Sequence, residues 1–163
     1  MPEVEEIEEG DPGEVVLENA RRKARAVTSS APAGATVLGA DTEVVLGGRL
    51  LGKAADEGEA RSHLESLSGS AHEVLGGLVL LTVGGGDRSG VAATGVTFKQ
   101  LDDATLDLYL ASGEWRDRAG AYAIQGLGSI LIERMDGDFS NVVGLPVGLL
   151  LELAPELVPG GLM

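Results

Sequence analysis

The sequence contains no cysteine, which excludes a disulfide framework and thiolate chemistry and gives no sign of an oxidising compartment. Aromatic residues make up only 3% of the chain against 44% hydrophobic residues in total, so the core has to be built from Val, Leu, Ile and Ala. No run of about 18 apolar residues occurs, so no membrane span is expected. The opening stretch, MPEVEEIEEGDPGE, is acidic and lacks the apolar segment of a signal peptide. A cytoplasmic protein without a membrane partner is expected. Positive charge is scarce: 12 Lys and Arg stand against 26 Asp and Glu, a formal charge of −14. Such a field repels anionic lipid and polynucleotide backbones, which argues against a nucleic-acid partner. A small anionic substrate stays compatible, because a local cluster of donors overrides the global field and a magnesium ion would help. Solubility or a salt-adapted host explains the charge equally well. The 163 residues fit one domain, long enough to bury roughly 70% of the surface its unfolded chain exposes.

Helix and strand signals alternate along the chain, which predicts an α/β or α+β fold with a mixed sheet. Asp11-Pro12-Gly13-Glu14 reads as a helix start, with Asp11 as cap and Pro12 in the first turn. The helix is predicted to run to about residue 27 with Val16, Ala20, Ala24 and Val27 on one face. Residues 36–40 and 43–46 are predicted as two strands separated by Asp41-Thr42, the second ending in a Gly47-Gly48 hairpin turn. A helix is predicted over 56–67, with Asp56 and Glu59 in a capping-box pattern and Gly69 as stop. Residues 72–83 and 89–98 read as an antiparallel pair. Their Gly84-Gly85-Gly86-Asp87 joint lacks the following helix and the Lys-Ser/Thr of a P-loop, so it is a plain turn. A short helix capped by Asp102 or Asp103 should stop near Gly113. Short strands are predicted over 121–124 and 129–135, a C-terminal helix over 144–153, and a fraying tail from residue 155.

Three polar clusters interrupt the apolar strands. In Gly39-Ala40-Asp41-Thr42, a carboxylate at a strand's end either faces a ligand crevice or caps a turn. In Leu51-Gly52-Lys53, the lysine either reaches a phosphate as a point charge or is an ordinary surface residue. In the run from Ala119 to Gly126, small residues around Gln125 allow close approach of a ligand whose base edge the amide could read, or they serve tight backbone packing. His63 and His72 do not form a metal pair, since their spacing fits no common zinc pattern, and His63 is expected to be solvated on its helix.

Five segments in order resemble the Maf proteins: VLGADTEVVLGGRLLGK, EARSHLESLSGSAHEV, VTF, LYLASGEWRDRAGAYAIQG and DGDFSNVVGLPVGLL. The likeness covers essentially the whole chain, from before the NARRKARAV helix. It implies a fold like that of the Maf and inosine triphosphate pyrophosphatases, with a nucleotide cleft between two lobes. It implies hydrolysis of a nucleoside triphosphate to the monophosphate and pyrophosphate with a divalent cation, magnesium or manganese, and homodimers are common in the family. By resemblance Asp41 is the proton acceptor, Lys53 matches the lysine of the LGKP motif, and Thr42 and Gln125 match positions tied to substrate choice. Glu6, or Glu5 if the register slips by one, matches an active-site glutamate, and Glu6 and Asp41 would hold the metal. The DT pair with AGAYAIQG is similar to the subgroup acting on dTTP and UTP rather than on 7-methyl-GTP.

Three departures stand out. Ala54 follows Lys53 in place of proline, and Ala123 stands where glycine is usual. Nothing matches the family's initial strand and Ser-x-Ser-Pro-Arg-Arg loop, so the domain is expected to lack both. A second reading is therefore a catalytically impaired relative that still binds nucleotide, or a regulator linked to septum formation.

Overall fold

The computed structural model describes residues 4–158. Helix α1 spans Pro12–Thr28. The Asp11 carboxylate accepts from the Gly13 and Glu14 N–H groups at 3.1 and 3.2 Å, satisfying two donors that the first turn leaves free. The helix buries Val15, Val16, Asn19, Ala20 and Ala24, while Val27 is half-buried.

Strand β1 (Thr36–Leu46) turns back through Gly47-Gly48 into β2 (Arg49–Leu51). Both glycines have positive φ, 57° and 80°, as a two-residue hairpin turn of matching twist requires. Helix α2 (Glu57–Leu67) starts on Asp56, which accepts from the Glu59 N–H at 2.9 Å. Strands β3 (Ala71–Thr82) and β4 (Asp87–Phe98) form the long hairpin expected, its Gly-rich joint a plain turn. Helix α3 (Asp103–Ser112) is capped by Asp102 and stopped by Gly113 at φ 74°. Strand β5 (Ile132–Asp136), helix α4 (Phe139–Val143) and helix α5 (Val147–Leu153) complete the described elements, together with 3₁₀ turns at Gly126–Leu131 and Pro155–Leu157.

The helix–strand mixture is as expected, and the described strands pair antiparallel throughout in the order β2-β1-β3-β4-β5. Because β2 pairs only with Val44, Val45 and Leu46, the outer edge of β1 over 36–43 carries no strand among the described residues. No described helix is long and apolar enough to cross a membrane.

Helix α1 packs on one face of the sheet, against β1 and β3. A Cβ on Gly39 would lie 2.1 Å from the Ala20 carbonyl oxygen, so helix and strand touch backbone to backbone there. The opposite face is covered in two parts. At one end α4 and α5 lie over β3 and β4. At the other, α2, α3 and the segment through Trp115, Tyr122 and Leu131 bury Leu64, Leu67, Val74, Val96, Phe98 and Tyr109. Each such large apolar side chain withdrawn from water stabilises the fold by roughly 1.5–3 kcal/mol. His72 sits in this cluster against Phe98 and Tyr122, its Nε2 2.8 Å from the Tyr122 hydroxyl, and burial pushes its pKa down to about 4.

Several sequence expectations are corrected. The two strands expected at 36–40 and 43–46 are one, so Asp41 lies mid-strand and not at a strand's end, with its backbone opposite Gly77. The strand can continue because Lys23 partners the buried carboxylate. Residues 121–124 are not a strand: Gly120 and Ala121 both take positive φ, 65° and 60°, and turn the chain. The strand expected at 129–135 begins only at Ile132, after a 3₁₀ turn. The helix expected over 144–153 begins only at Val147: Gly144 ends the preceding α4, and Pro146, which has no N–H to donate, precedes α5. His63 is not solvated. Its side chain is 14% exposed, beside Glu59. The tail expected to fray from Pro155 is held as far as Glu156 by Arg88, which donates to the Leu153 carbonyl at 2.7 Å and pairs with Glu156 at 2.8 Å.

Candidate active site

The close approach of α1 to Gly39 sets Lys23, one residue before Ala24, over the strand at Asp41. Asp41 is 6% exposed. Its Oδ1 accepts from the Lys23 ammonium at 2.5 Å, and its Oδ2 has no hydrogen-bond partner among the described residues. Lys23 also pairs with Glu6 at 2.8 Å, and Glu6 pairs in turn with Lys53 at 3.2 Å. The four side chains thus alternate in charge along one line, Asp41–Lys23–Glu6–Lys53.

Glu6 reaches this line because its segment is strapped to α1. The buried Asn19 side chain accepts from the Ile7 N–H at 2.8 Å and donates to the Ile7 carbonyl at 3.0 Å. Arg22 donates to the Glu5 carbonyl at 2.8 Å. The register therefore places Glu6 inward, while the Glu5 side chain is exposed. Lys53 is placed by an isolated bridge between its own backbone and that of Ala119.

The electrostatics follow from burial and alternation. Loss of solvation raises the Asp41 pKa; Lys23 and, more weakly, the nearby Asn19 amide oppose that shift without cancelling it, and Glu6 adds to it. For Lys23, burial works against the charge but the bonds to Asp41 and Glu6 outweigh it, so its pKa is raised. Burial would raise Glu6, yet the two lysines hold it below the ordinary carboxylate value. Glu43, two residues along β1 from Asp41, is pushed up to about 7 by burial and by the Asp41 and Glu6 charges.

A cleft of about 250 Å³ opens beside this line on the sheet face away from α1. Its floor is Ala40, Thr42, Val44 and Val74, one wall is the C-terminal end of α4 with Val142, Val143 and Gly144, and the other is the segment 117–125. Lys23, Asp41 and Lys53 close one end. Thr42 and Gln125 both line it, so all the residues singled out from sequence except Glu6 border one cavity. Gln125 is exposed, and its side chain makes no capping bond to the turn that follows it. Its loop is nonetheless fixed: the Ala123 N–H donates to the Tyr109 hydroxyl at 3.1 Å, and Glu114 accepts from the Leu127 and Gly128 N–H groups at 3.0 and 3.1 Å. Glu6 lines a second pocket of about 290 Å³ that shares Asp41, Thr42, Lys53 and Ala119 with the first, and adds Glu43, Glu59 and His63.

Chemically, the arrangement offers a buried carboxylate with one oxygen free of a hydrogen-bond partner, and two ammonium groups, a hydroxyl and an amide around one cavity. No group of three or more His, Asp or Glu side chains is placed to hold a metal among the described residues. The uncommitted Asp41 Oδ2 and the neighbouring Glu6 are the hard oxygen donors at hand. Sequence reasoning missed Lys23, Asn19, Glu43 and the wall at the end of α4. Lys23 had one available signal: it is the single lysine in NARRKARAV, three residues after Ala20 on the apolar face.

Residues 1–157 match the family model described as Maf-like protein. The chain is 46% identical over 151 residues to a dTTP/UTP pyrophosphatase of Deinococcus radiodurans, covering 93% of this chain and 76% of that protein. It is 42% identical over 151 residues to a dTTP/UTP pyrophosphatase of Pyrococcus furiosus, covering 91% and 77%. It is 48% identical over 139 residues to a dTTP/UTP pyrophosphatase of Anaeromyxobacter dehalogenans, covering 83% and 69%.

Proposed function

Since the chain belongs to the Maf-like protein family, we propose that it hydrolyses dTTP and UTP to the nucleoside monophosphate and pyrophosphate, with Asp41 as proton acceptor. The observation that carries this reading is the asymmetry of Asp41. One oxygen is held by Lys23 and the other is buried without a hydrogen-bond partner among the described residues, in a residue that lines the cleft. A carboxylate anchored in this way keeps a fixed lone pair for a water proton, and its raised pKa makes it a better base. The water oxygen attacks the α-phosphorus, the bond from it to the bridging oxygen breaks, and the water proton passes to Oδ2 as pyrophosphate departs. Lys23 and Lys53 offset the charge that collects on the phosphates.

Asp41 and Glu6 are the carboxylates that would hold a divalent cation, magnesium or manganese, and Glu6, whose two oxygens are each paired with a lysine, would exchange one of those partners for the ion. Such an ion would neutralise phosphate charge when bound. Thr42 and Gln125 supply the hydroxyl and the amide that read the pyrimidine edge, because both line the cleft and the Gln125 side chain makes no capping bond to the turn after it. The proposal extends to a cytoplasmic protein, a homodimer, and a single domain over the whole chain.

The test is pyrophosphate release with magnesium from dTTP, UTP, dATP and GTP, for the native chain and for Gln125→Ala. Selective turnover of the pyrimidines, with discrimination reduced in the variant, supports the reading. Equal turnover of all four would remove the specificity claim. Binding of dTTP without pyrophosphate release would favour the catalytically impaired relative.

A further inference from the structure

The cleft is lined by three cations, and only one of them lacks a carboxylate partner among the described residues. Lys23 is committed to Asp41 and Glu6, and Lys53 to Glu6. Arg118 lines the same cavity, is exposed, and forms no ion pair, not even with its neighbour Asp117, which also lines the cleft. The other arginine of this run behaves differently: the Arg116 guanidinium stacks on the Trp115 ring at 4.7 Å. In a chain with a formal charge of −14, an unpaired guanidinium facing a cleft is an uncommon arrangement.

The loop that carries it is held in a costly conformation. Asp117 and Ala121 are the non-glycine residues with positive φ among those described, 58° and 60°, and they flank Arg118 within four residues. A non-glycine residue in that region costs of order 1–3 kcal/mol and persists only where its surroundings enforce it. Here the enforcement is visible. The Gly120 N–H donates to the Leu51 and Gly52 carbonyls at 2.8 and 3.1 Å, Ala119 bridges Lys53, and the Ala121 N–H donates to the Arg118 carbonyl at 3.0 Å. A Cβ on Gly120 would lie 2.9 Å from Val44, so the backbone is also pinned against the cleft floor. The staple fixes the backbone next to Arg118 against Lys53, seven residues before Gln125, in a cavity that Lys23, Asp41 and Lys53 also line.

We propose that Arg118 is a substrate-binding residue that grips the polyphosphate chain of the nucleotide, and that the strained 117–121 loop exists to present it. The inference rests on the nucleotide reading above and assigns that reading's phosphate end a cation that its carboxylates do not neutralise. A guanidinium suits this role because its fork of N–H groups bonds two phosphate oxygens at once.

The experiment measures equilibrium binding, with magnesium, of three probes: a non-hydrolysable α,β-methylene analogue of dTTP, inorganic tripolyphosphate and thymidine. The proteins are the native chain, Arg118→Gln and Arg118→Lys, with thermal melting of each as a check on folding. A charge-assisted phosphate contact corresponds to roughly ten- to a hundredfold in affinity. The glutamine variant should lose about that much for the analogue and for tripolyphosphate and nothing for thymidine, and lysine should restore part of it. Unchanged tripolyphosphate affinity in a folded Arg118→Gln chain overturns the inference, as does an equal loss for thymidine. If tripolyphosphate binding depends on Arg118 but the dTTP analogue does not bind, the phosphate grip stands and the nucleotide reading falls.

Discussion

Lys23 and Asp41 meet at 2.5 Å across the helix–sheet interface, and the contact engages only one of the two carboxylate oxygens. The pair therefore has both a structural and a chemical side. It satisfies a charge that the strand buries, and it leaves the second oxygen without a hydrogen-bond partner among the described residues.

Asp41→Asn should separate these two roles. The amide keeps the size of the carboxylate and can still accept from Lys23, so folding should survive. It cannot take a proton from water. General-base catalysis is typically worth ~10²–10⁴-fold, and pyrophosphate release from dTTP should fall by about that much with little change in melting temperature. Undiminished turnover would remove Asp41 as the base.

Lys23→Met tests the structural side. Removing one partner of a buried pair leaves the other charge uncompensated, a loss of about 3–5 kcal/mol in such cases. The Lys23 side chain is 22% exposed and that of Asp41 5%, so the lower end of that range is expected near neutral pH. The sign with pH follows. Without Lys23 the Asp41 pKa, already raised by burial, rises further above its unfolded value. Stability is then retained at acidic pH and lost as pH rises through that pKa. Urea midpoints across a pH series should show the gap between variant and native narrowing as pH falls, and a gap independent of pH would refute the account.

His72 gives the opposite dependence. Burial lowers its folded pKa to about 4 from 6.5, so the unfolded chain binds the extra proton between those values. The stability this neutral histidine contributes is complete above pH 6.5 and lost as pH falls toward 4, roughly 3 kcal/mol in all. His72→Gln keeps a hydrogen-bonding group for the Tyr122 hydroxyl but does not titrate. Its unfolding free energy should fall less steeply over that window than that of the native chain. Parallel slopes would show that other groups govern the acid limb.

Much of this was legible in the sequence because the signals were local. The caps at Asp11, Asp56 and Asp102, the Gly47-Gly48 turn and the β3–β4 hairpin all depend on residues a few positions apart. Asp41, Lys53 and Gln125 stand out as polar residues interrupting apolar stretches, but local sequence leaves each a structural alternative, and the site roles of all three and of Thr42 come from the resemblance to the Maf proteins. What escaped was tertiary. The continuity of β1 through Asp41 depends on a lysine 18 residues earlier. Ala121 was read as strand because a run of small and apolar residues does not reveal that the preceding glycine and the bridge to Lys53 turn the backbone there. Glu6 could be placed only to within a residue until the Asn19 bonds to Ile7 fixed its register.

Gly39→Ala tests how far the site depends on that packing. The added Cβ would fall 2.1 Å from the Ala20 carbonyl oxygen, 2.8 Å from the Ala24 Cβ and 2.9 Å from the Ala24 nitrogen. Two of these three atoms are backbone, so no rotamer change relieves the clash and α1 has to move off β1. Overpacking of this kind costs typically ~1–3 kcal/mol. It should also lengthen the Lys23–Asp41 contact, because Lys23 and Ala24 move together. The expected result is a lower melting temperature together with a fall in kcat for dTTP hydrolysis that exceeds any change in KM, since the base is misplaced while Thr42 and Gln125, on the opposite sheet face and in the 117–125 wall, keep their positions. Gly34→Ala is the control: it has an unusual φ of 79° but nothing within 4 Å of an added Cβ, so it should lower stability through backbone strain and leave kcat unchanged. If both variants lose stability and neither loses turnover, the spacing between α1 and β1 does not set the catalytic geometry.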